Sequence, residues 1–254
     1  MNGLAGAPVV AGIDGSPRSL DAVEAAAVAA VQRHRPLRIV HAAESTVEFP
    51  EEYLAEAALL AEKTAPELSM ACELLAGPPA PALLAESGRA ALLVLGDRGL
   101  GGFPGLIVGS VAVHAATHAA CPVLLVRGHY HRAGPVVVGF DGSAGAERAL
   151  EFAIDEATLR GTDVVALEAQ PVAESPDVQQ ALARITGRHR DVVVRHEVVH
   201  DAAGRALTRW SRTAQLLVVG DRGHGGFPGL QLGSVSQHLV HEAACPTAVA
   251  RTPS

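Results

Sequence analysis

The chain has 254 residues, 48% of them hydrophobic, with Lys+Arg 20 against Asp+Glu 27 and a net charge of −7. That is material for one or two folded domains, and the acidic balance argues against a protein that holds nucleic acid through its phosphates. Lys63 is the sole lysine, which excludes a Walker-type Gly-Lys-Ser/Thr loop, and three scattered cysteines (Cys72, Cys121, Cys245) exclude a disulfide framework.

Residues 1–15, MNGLAGAPVVAGIDG, carry no basic region before their apolar run and do not read as a signal peptide. No apolar stretch reaches about 18 residues, so no membrane span and no membrane partner is expected, and the expected location is cytoplasmic. Residues 8–13 are a short, partly β-branched apolar run ending in Asp14-Gly15-Ser16, a strand leading into a turn. Ser16-Pro17 is an N-cap and N1 pair, followed by Leu20, Val23, Ala27 and Val31 at helical spacing. Residues 37–42 read as a second strand, 50–64 as a second helix carrying Tyr53, Leu54 and Leu60, and 68–75 as a third strand interrupted by Ser69, Cys72 and Glu73. A short helix follows over 79–88. Residues 91–95 are wholly apolar, the pattern of a strand covered on both faces. A glycine-rich loop leads into a helix over 110–120 and a last strand over 122–126.

The chain then repeats itself. Residues 96–106 read GDRGLGGFPGL and residues 220–230 read GDRGHGGFPGL, identical at ten of eleven positions at an offset of 124. VVAGIDGS at 9–16 matches VVVGFDGS at 136–143 at an offset of 127, so the second copy is three residues shorter in its middle. Two copies of one unit make a tandem of domains, 1–128 and 134–254, joined near residues 127–135. Strands alternating with helices imply a doubly wound parallel α/β sheet in each half, with ligands bound beyond the strands' carboxyl ends.

Both glycine loops stand at such a strand end. Gly96-Asp97-Arg98-Gly99, nine residues, then Gly109-Ser110 opens a helix; Gly220, Gly223, Gly233 and Ser234 repeat the spacing. Glycines let backbone N–H groups approach an anion, and the following helix presents its positive end. Arg98 and Arg222 can neutralise a phosphate from within the loop or be solvated loop arginines. Asp14 and Asp141 can contact a nucleotide, directly or through its Mg²⁺, or close an Asx turn at the strand–helix corner. The twelve histidines (His114, His129, His131, His196, His200 and His238 among them) do not combine with carboxylates at metal-ligand spacing. Cys121 and Cys245, each before a proline at a strand start, read as core packing.

The spacing Gly-x2-Gly-x9-Gly-Ser resembles the ATP-binding motif of the universal stress protein family, as do the aspartate ending the first strand, the Cys-Pro before the last strand and the tandem arrangement. The resemblance covers nearly the whole chain. It implies five-stranded parallel sheets of order 3-2-1-4-5, one ATP per half with its Mg, and two halves paired through their last strands (122–126 and 246–251) as an intramolecular pseudo-dimer. An open sheet edge is a liability that such pairing covers, and a linker of about eight residues reaches roughly 25 Å. Position by position, it implies that Gly96, Gly99, Gly109 and Ser110 hold ribose and phosphates, with Val111 donating a backbone N–H. Gly220, Gly223, Gly233, Ser234 and Val235 match them. Gly12 and Asp14, or Gly139 and Asp141, lie beside the nucleotide. Ala42 and Ala169 offer backbone groups to adenine where the family often has a larger aliphatic residue, and Leu95 and Val219 complete an apolar wall.

The function so implied is an ATP-binding regulatory or stress-response module, with a homodimer and a regulatory protein as further partners. Neither loop supplies an evident general base or nucleophile, so slow ATP hydrolysis is the most expected of it. The alternative is a slow ATP hydrolase or nucleotidyl-transfer enzyme on the same fold, but DGSPRSL at 14–20 lacks the His-x-Gly-His element typical there. A Rossmann dehydrogenase needs GxGxxG after the first strand, where this chain has only Gly12 and Gly15.

Overall fold

A computed structural model describes residues 6–43, 50–100, 108–127, 133–169, 176–224 and 231–251. The chain divides into two compact units at Arg127/Gly128.

In the first unit, β1 (Val9–Ile13), α1 (Pro17–Gln32), β2 (Leu37–Ala43), α2 (Pro50–Thr64), β3 (Met70–Ala76), α3 (Pro79–Ser87), β4 (Leu92–Gly96), α4 (Ser110–His118) and β5 (Val123–Val126) follow in order. All neighbouring strands are parallel and the sheet runs β3-β2-β1-β4-β5, with helices on both faces. The second unit repeats the plan with β6 (Val136–Gly139), α5 (Ala144–Arg160), β7 (Val164–Ala169), α6 (Pro176–Thr186), β8 (Val194–Val199), α7 (Ala203–Trp210), β9 (Leu216–Gly220), α8 (Ser234–Glu242) and β10 (Thr247–Ala250). Its sheet is β8-β7-β6-β9-β10, again parallel.

The central strands are the driest parts of each unit. Val9, Val10, Ala11, Leu93 and Val94 are fully buried, as are Val136, Val137, Val138, Leu217 and Val218. Each fully buried Val or Leu contributes about 1.5–3 kcal/mol by leaving water. At the sheet's edge β3 is different: Ala71 to Leu74 are exposed, which explains why polar residues interrupt its sequence. The strand begins at Met70 rather than at 68, because Leu68 still donates to the Ala65 carbonyl in the turn after α2.

Helix α1 starts as its sequence dictates, with the Ser16 hydroxyl accepting the Ser19 N–H at 3.2 Å and Pro17 in the first turn. Its buried stripe, however, is Ala22, Val23, Ala26, Ala27 and Ala30, while Leu20 is half-buried and Val31 is 48% exposed. Val23 and Ala27 lie on the expected face, and the small alanines beside them let the helix lie close to the sheet and leave Leu20 and Val31 at its margin. Strand register locates the shortening of the second half. Leu37 aligns with Met70 and Val164 with Val194, so the three missing residues fall between the second and third strands of the unit, where α2 has 15 residues and α6 has 11.

Candidate functional site

In both units the strand ends, the glycine turn and the fourth helix converge. Asp14 is the hinge of the first. Its Oδ1 accepts the Ser16 N–H at 3.1 Å, an Asx turn, and its Oδ2 accepts the Leu100 N–H at 2.7 Å. The carboxylate therefore ties the end of β1 to the glycine turn after β4. Asp141 does the same in the second unit, accepting from Ser143 N at 3.0 Å and His224 N at 3.1 Å. Burial opposes the charge on Asp141, but the Ser143 hydroxyl, the backbone N–H groups of Ser143 and His224 and the nearby His224 ring outweigh it and hold the carboxyl below its ordinary range.

This strut accounts for two of the motif glycines. A Cβ at Gly99 would overlap Asp14 Oδ2, and one at Gly223 would overlap Asp141 Oδ2. Gly96 and Gly220 are required by packing on the first helix: a Cβ at 96 would come within 2.7 Å of the Arg18 carbonyl oxygen, and one at 220 within 2.6 Å of Gly145. Each glycine turn then fixes the helix that follows the loop. The Gly109 N–H donates to the Asp97 carbonyl at 2.8 Å and the Gly233 N–H to that of Asp221 at 2.7 Å.

Gly109 and Gly233 are another matter. They are the N-caps of α4 and α8, with φ of −70° and −67° and no side-chain cap. Among the described residues, a Cβ there would meet nothing closer than 3.7 Å and 3.5 Å. Neither backbone strain nor crowding by the described residues asks for glycine, and a Ser or Asp would cap the helix better. The absent side chain leaves a cradle that a Cβ would fill, beside the first N–H groups at a helix's positive end.

In the second unit these parts enclose a cavity of about 200 Å³. β6 contributes Gly139 with Asp141 beyond it, β7 Ala169, β9 Val219 and Gly220, the turn Arg222 and Gly223, and α8 Gly233, Ser234 and Val235. Every second-half residue that the family resemblance places at the nucleotide is thus brought to one place. The cavity also has walls that the motif does not mark. Leu167 and Leu207 are apolar lining, and Ser236 donates to the Gly220 carbonyl at 2.6 Å, tying α8 to the end of β9.

The first unit has the same plan. Gly12 is in register with Val40 and Leu95, and the Leu95 and Leu83 side chains cover it, since a Cβ at 12 would lie 2.5 Å and 2.8 Å from them. Ala42 is buried near the end of β2, and Ser110 and Val111 open α4 beside Gly109. Arg98 and Arg222 are both exposed, and Arg222 lines the second unit's cavity.

Among the described residues, no group of three or more His, Cys, Asp or Glu could hold a metal ion. His196 instead pairs with buried Glu168 at 2.9 Å, and Cys121 and Cys245 are fully buried. His129, His131 and most of the segment between Leu100 and Gly109 lie outside the described residues. No helix among the described residues is long and apolar enough to cross a membrane.

The sequence profile described as the Universal stress protein family matches residues 7–127, 133–185 and 167–251. The chain is 34% identical over 301 aligned positions to universal stress protein Rv1996 of Mycobacterium tuberculosis, covering 96% of this chain and 95% of that protein. To universal stress protein Rv2623 of the same organism it is 35% identical over 291 positions, covering 96% of each. A universal stress protein of Archaeoglobus fulgidus has a similar fold, with a TM-score of 0.72 over 98% of this chain and 97% of that one at 19% identity.

Proposed function

The chain belongs to the universal stress protein family, and from that premise we propose that each half binds one adenine nucleotide, ATP with its Mg²⁺, as a regulatory module of the stress response. The observation that carries this reading is the pair of N-cap glycines, Gly109 and Gly233, which packing among the described residues does not require. A ligand approaching the helix N-terminus accounts for both.

ATP supplies a chain of anionic phosphates that a helix N-terminus and glycine N–H groups recognise. In the second unit Gly220, Gly223, Gly233, Ser234 and Val235 would hold ribose and phosphates, and Arg222 would neutralise charge at the rim. Leu167, Val219 and Leu207 offer an apolar wall to the base, with the Ala169 backbone at its edge. The small Ala42 and Ala169 side chains leave adenine less tightly packed. Asp14 and Asp141 already accept two backbone N–H groups each, so their first task is to shape the turn. Mg²⁺ would arrive on the phosphates, since it prefers their oxygens and water.

Mass spectrometry of the gently purified protein tests this reading. Adenine nucleotide released on denaturation, approaching two per chain, supports it. Protein that carries no nucleotide and takes up none at millimolar ATP refutes it.

A further inference from the structure

We infer that Arg18 and Arg148 are positioning residues that neutralise the aspartate inside each glycine turn, Asp97 and Asp221, and so keep the two cradles receptive to a polyphosphate; this rests on the nucleotide reading above.

An aspartate in an anion-binding turn is electrostatically adverse, because its charge opposes the incoming phosphates. Both halves nevertheless carry one, and both answer it with an arginine from the unit's first helix. In the first unit Asp97 is 9% exposed, and Arg18 Nε lies 3.8 Å from its Oδ1. The offset of 127 that equates Asp14 with Asp141 equates Arg18 with Gly145. Position 145 admits no side chain, because a Cβ there would overlap the Arg222 carbonyl oxygen. The cation comes instead from Arg148, three residues on and on the same helix face, with Nη2 3.1 Å from Asp221 Oδ1. The first-unit counterpart of Arg148 is Asp21, which pairs with Arg18 at 3.2 Å. One charge requirement is therefore met from two non-equivalent positions.

The arrangement has a direct consequence for the cavity. Arg222, which lines it, has its Nε 3.9 Å from Asp221 Oδ2. While Arg148 engages Asp221, the Arg222 guanidinium remains available to an anion. Without Arg148, Asp221 is left with Arg222 as its cation partner, so its charge both opposes phosphate and draws Arg222 away from an anion in the cavity.

The test compares ATP with adenosine, which shares the base and ribose but has no phosphate, by calorimetric titration of the full chain. In the Arg18→Met/Arg148→Met variant, ATP is expected to bind about ten-fold more weakly, with adenosine within about two-fold of the parent. Adding Asp97→Asn/Asp221→Asn should restore most of the ATP affinity. The Asn pair alone, with both arginines kept, should bind ATP several-fold more tightly than the parent, and this arm decides if the Met variant fails to fold. Equal losses for ATP and adenosine would make the arginines merely structural and overturn the inference. So would an Asn pair that leaves ATP binding unchanged or weaker. A parent that binds adenosine but gains nothing from the phosphates overturns it too, whereas a parent that binds neither refutes the nucleotide reading itself.

Discussion

Serine at positions 109 and 233 should move stability and ligand binding in opposite directions. Both sites have ordinary φ and room for a Cβ, with nearest atoms at 3.7 Å and 3.5 Å. A serine at either N-cap can accept the N–H three residues on, from Ala112 or Ser236, as Ser16 and Ser143 do from Ser19 and Ala146. Ser in place of Gly at an N-cap is worth a few tenths of a kcal/mol, and removing glycine's freedom from the unfolded chain adds about 0.4–1 kcal/mol. The Gly109→Ser/Gly233→Ser chain should therefore be about 1–2 kcal/mol more stable, a rise of roughly 2–8 °C in Tm by differential scanning calorimetry. The same Cβ atoms occupy the cradle. Losing one or two charge-assisted hydrogen bonds to phosphate costs about 1.5–3 kcal/mol each, so ATP should bind at least about ten-fold more weakly. A variant that melts higher and binds ATP like the parent would refute the assignment of these glycines. A variant that melts markedly lower would refute the claim that the protein itself has no need of them.

Two further outcomes follow from the struts around the site. Because Asp141 titrates below its ordinary range when folded, its contribution to stability is fully present above the unfolded value of about 3.9 and is lost as pH falls through the lower folded value. In urea titrations, the advantage of the parent over Asp141→Asn should therefore be largest near neutrality and shrink below about pH 4; an advantage that persists unchanged to pH 2 would contradict the strut. The buried Ser87 and Ser211 hydroxyls each accept the N–H that leads out of the fourth helix, from Ala120 and Ala244, at 2.9 Å in both units. Ser87→Ala/Ser211→Ala should cost about 1 kcal/mol at each position and lower Tm by about 2–4 °C per kcal/mol without changing ATP affinity. Unaltered melting would show that these bridges are dispensable.

The duplicated glycine spacing made the site legible in sequence because spacing reports where the backbone must come close. It does not report which neighbour demands the closeness. Gly99 and Gly223 answer to Asp14 and Asp141, and Gly96 and Gly220 to the first helix, and only coordinates separate them from Gly109 and Gly233. The strand–helix alternation was legible because the central strands are buried on both faces and so are apolar throughout. The edge strand β3 was harder to bound, since water on its flanks relaxes the pattern. Ser236, Leu167 and Leu207 escaped notice because each is an ordinary residue whose meaning lies in the fold that brings it to Gly220 and Gly139. Asp97 and Asp221 stood in the motif from the start, but their arginines lie more than seventy residues earlier at unlike positions, which no repeat comparison can pair.

The central claim is that each half of this chain holds one adenine nucleotide, and calorimetric titration of the nucleotide-free full chain with Mg-ATP tests it most directly. The account predicts saturable heat with a stoichiometry near two per chain, and two unequal sites, one of them at least about ten-fold weaker, when Gly233→Ser alone is introduced. No heat at millimolar ATP, or two sites whose affinities Gly233→Ser leaves untouched, would contradict it.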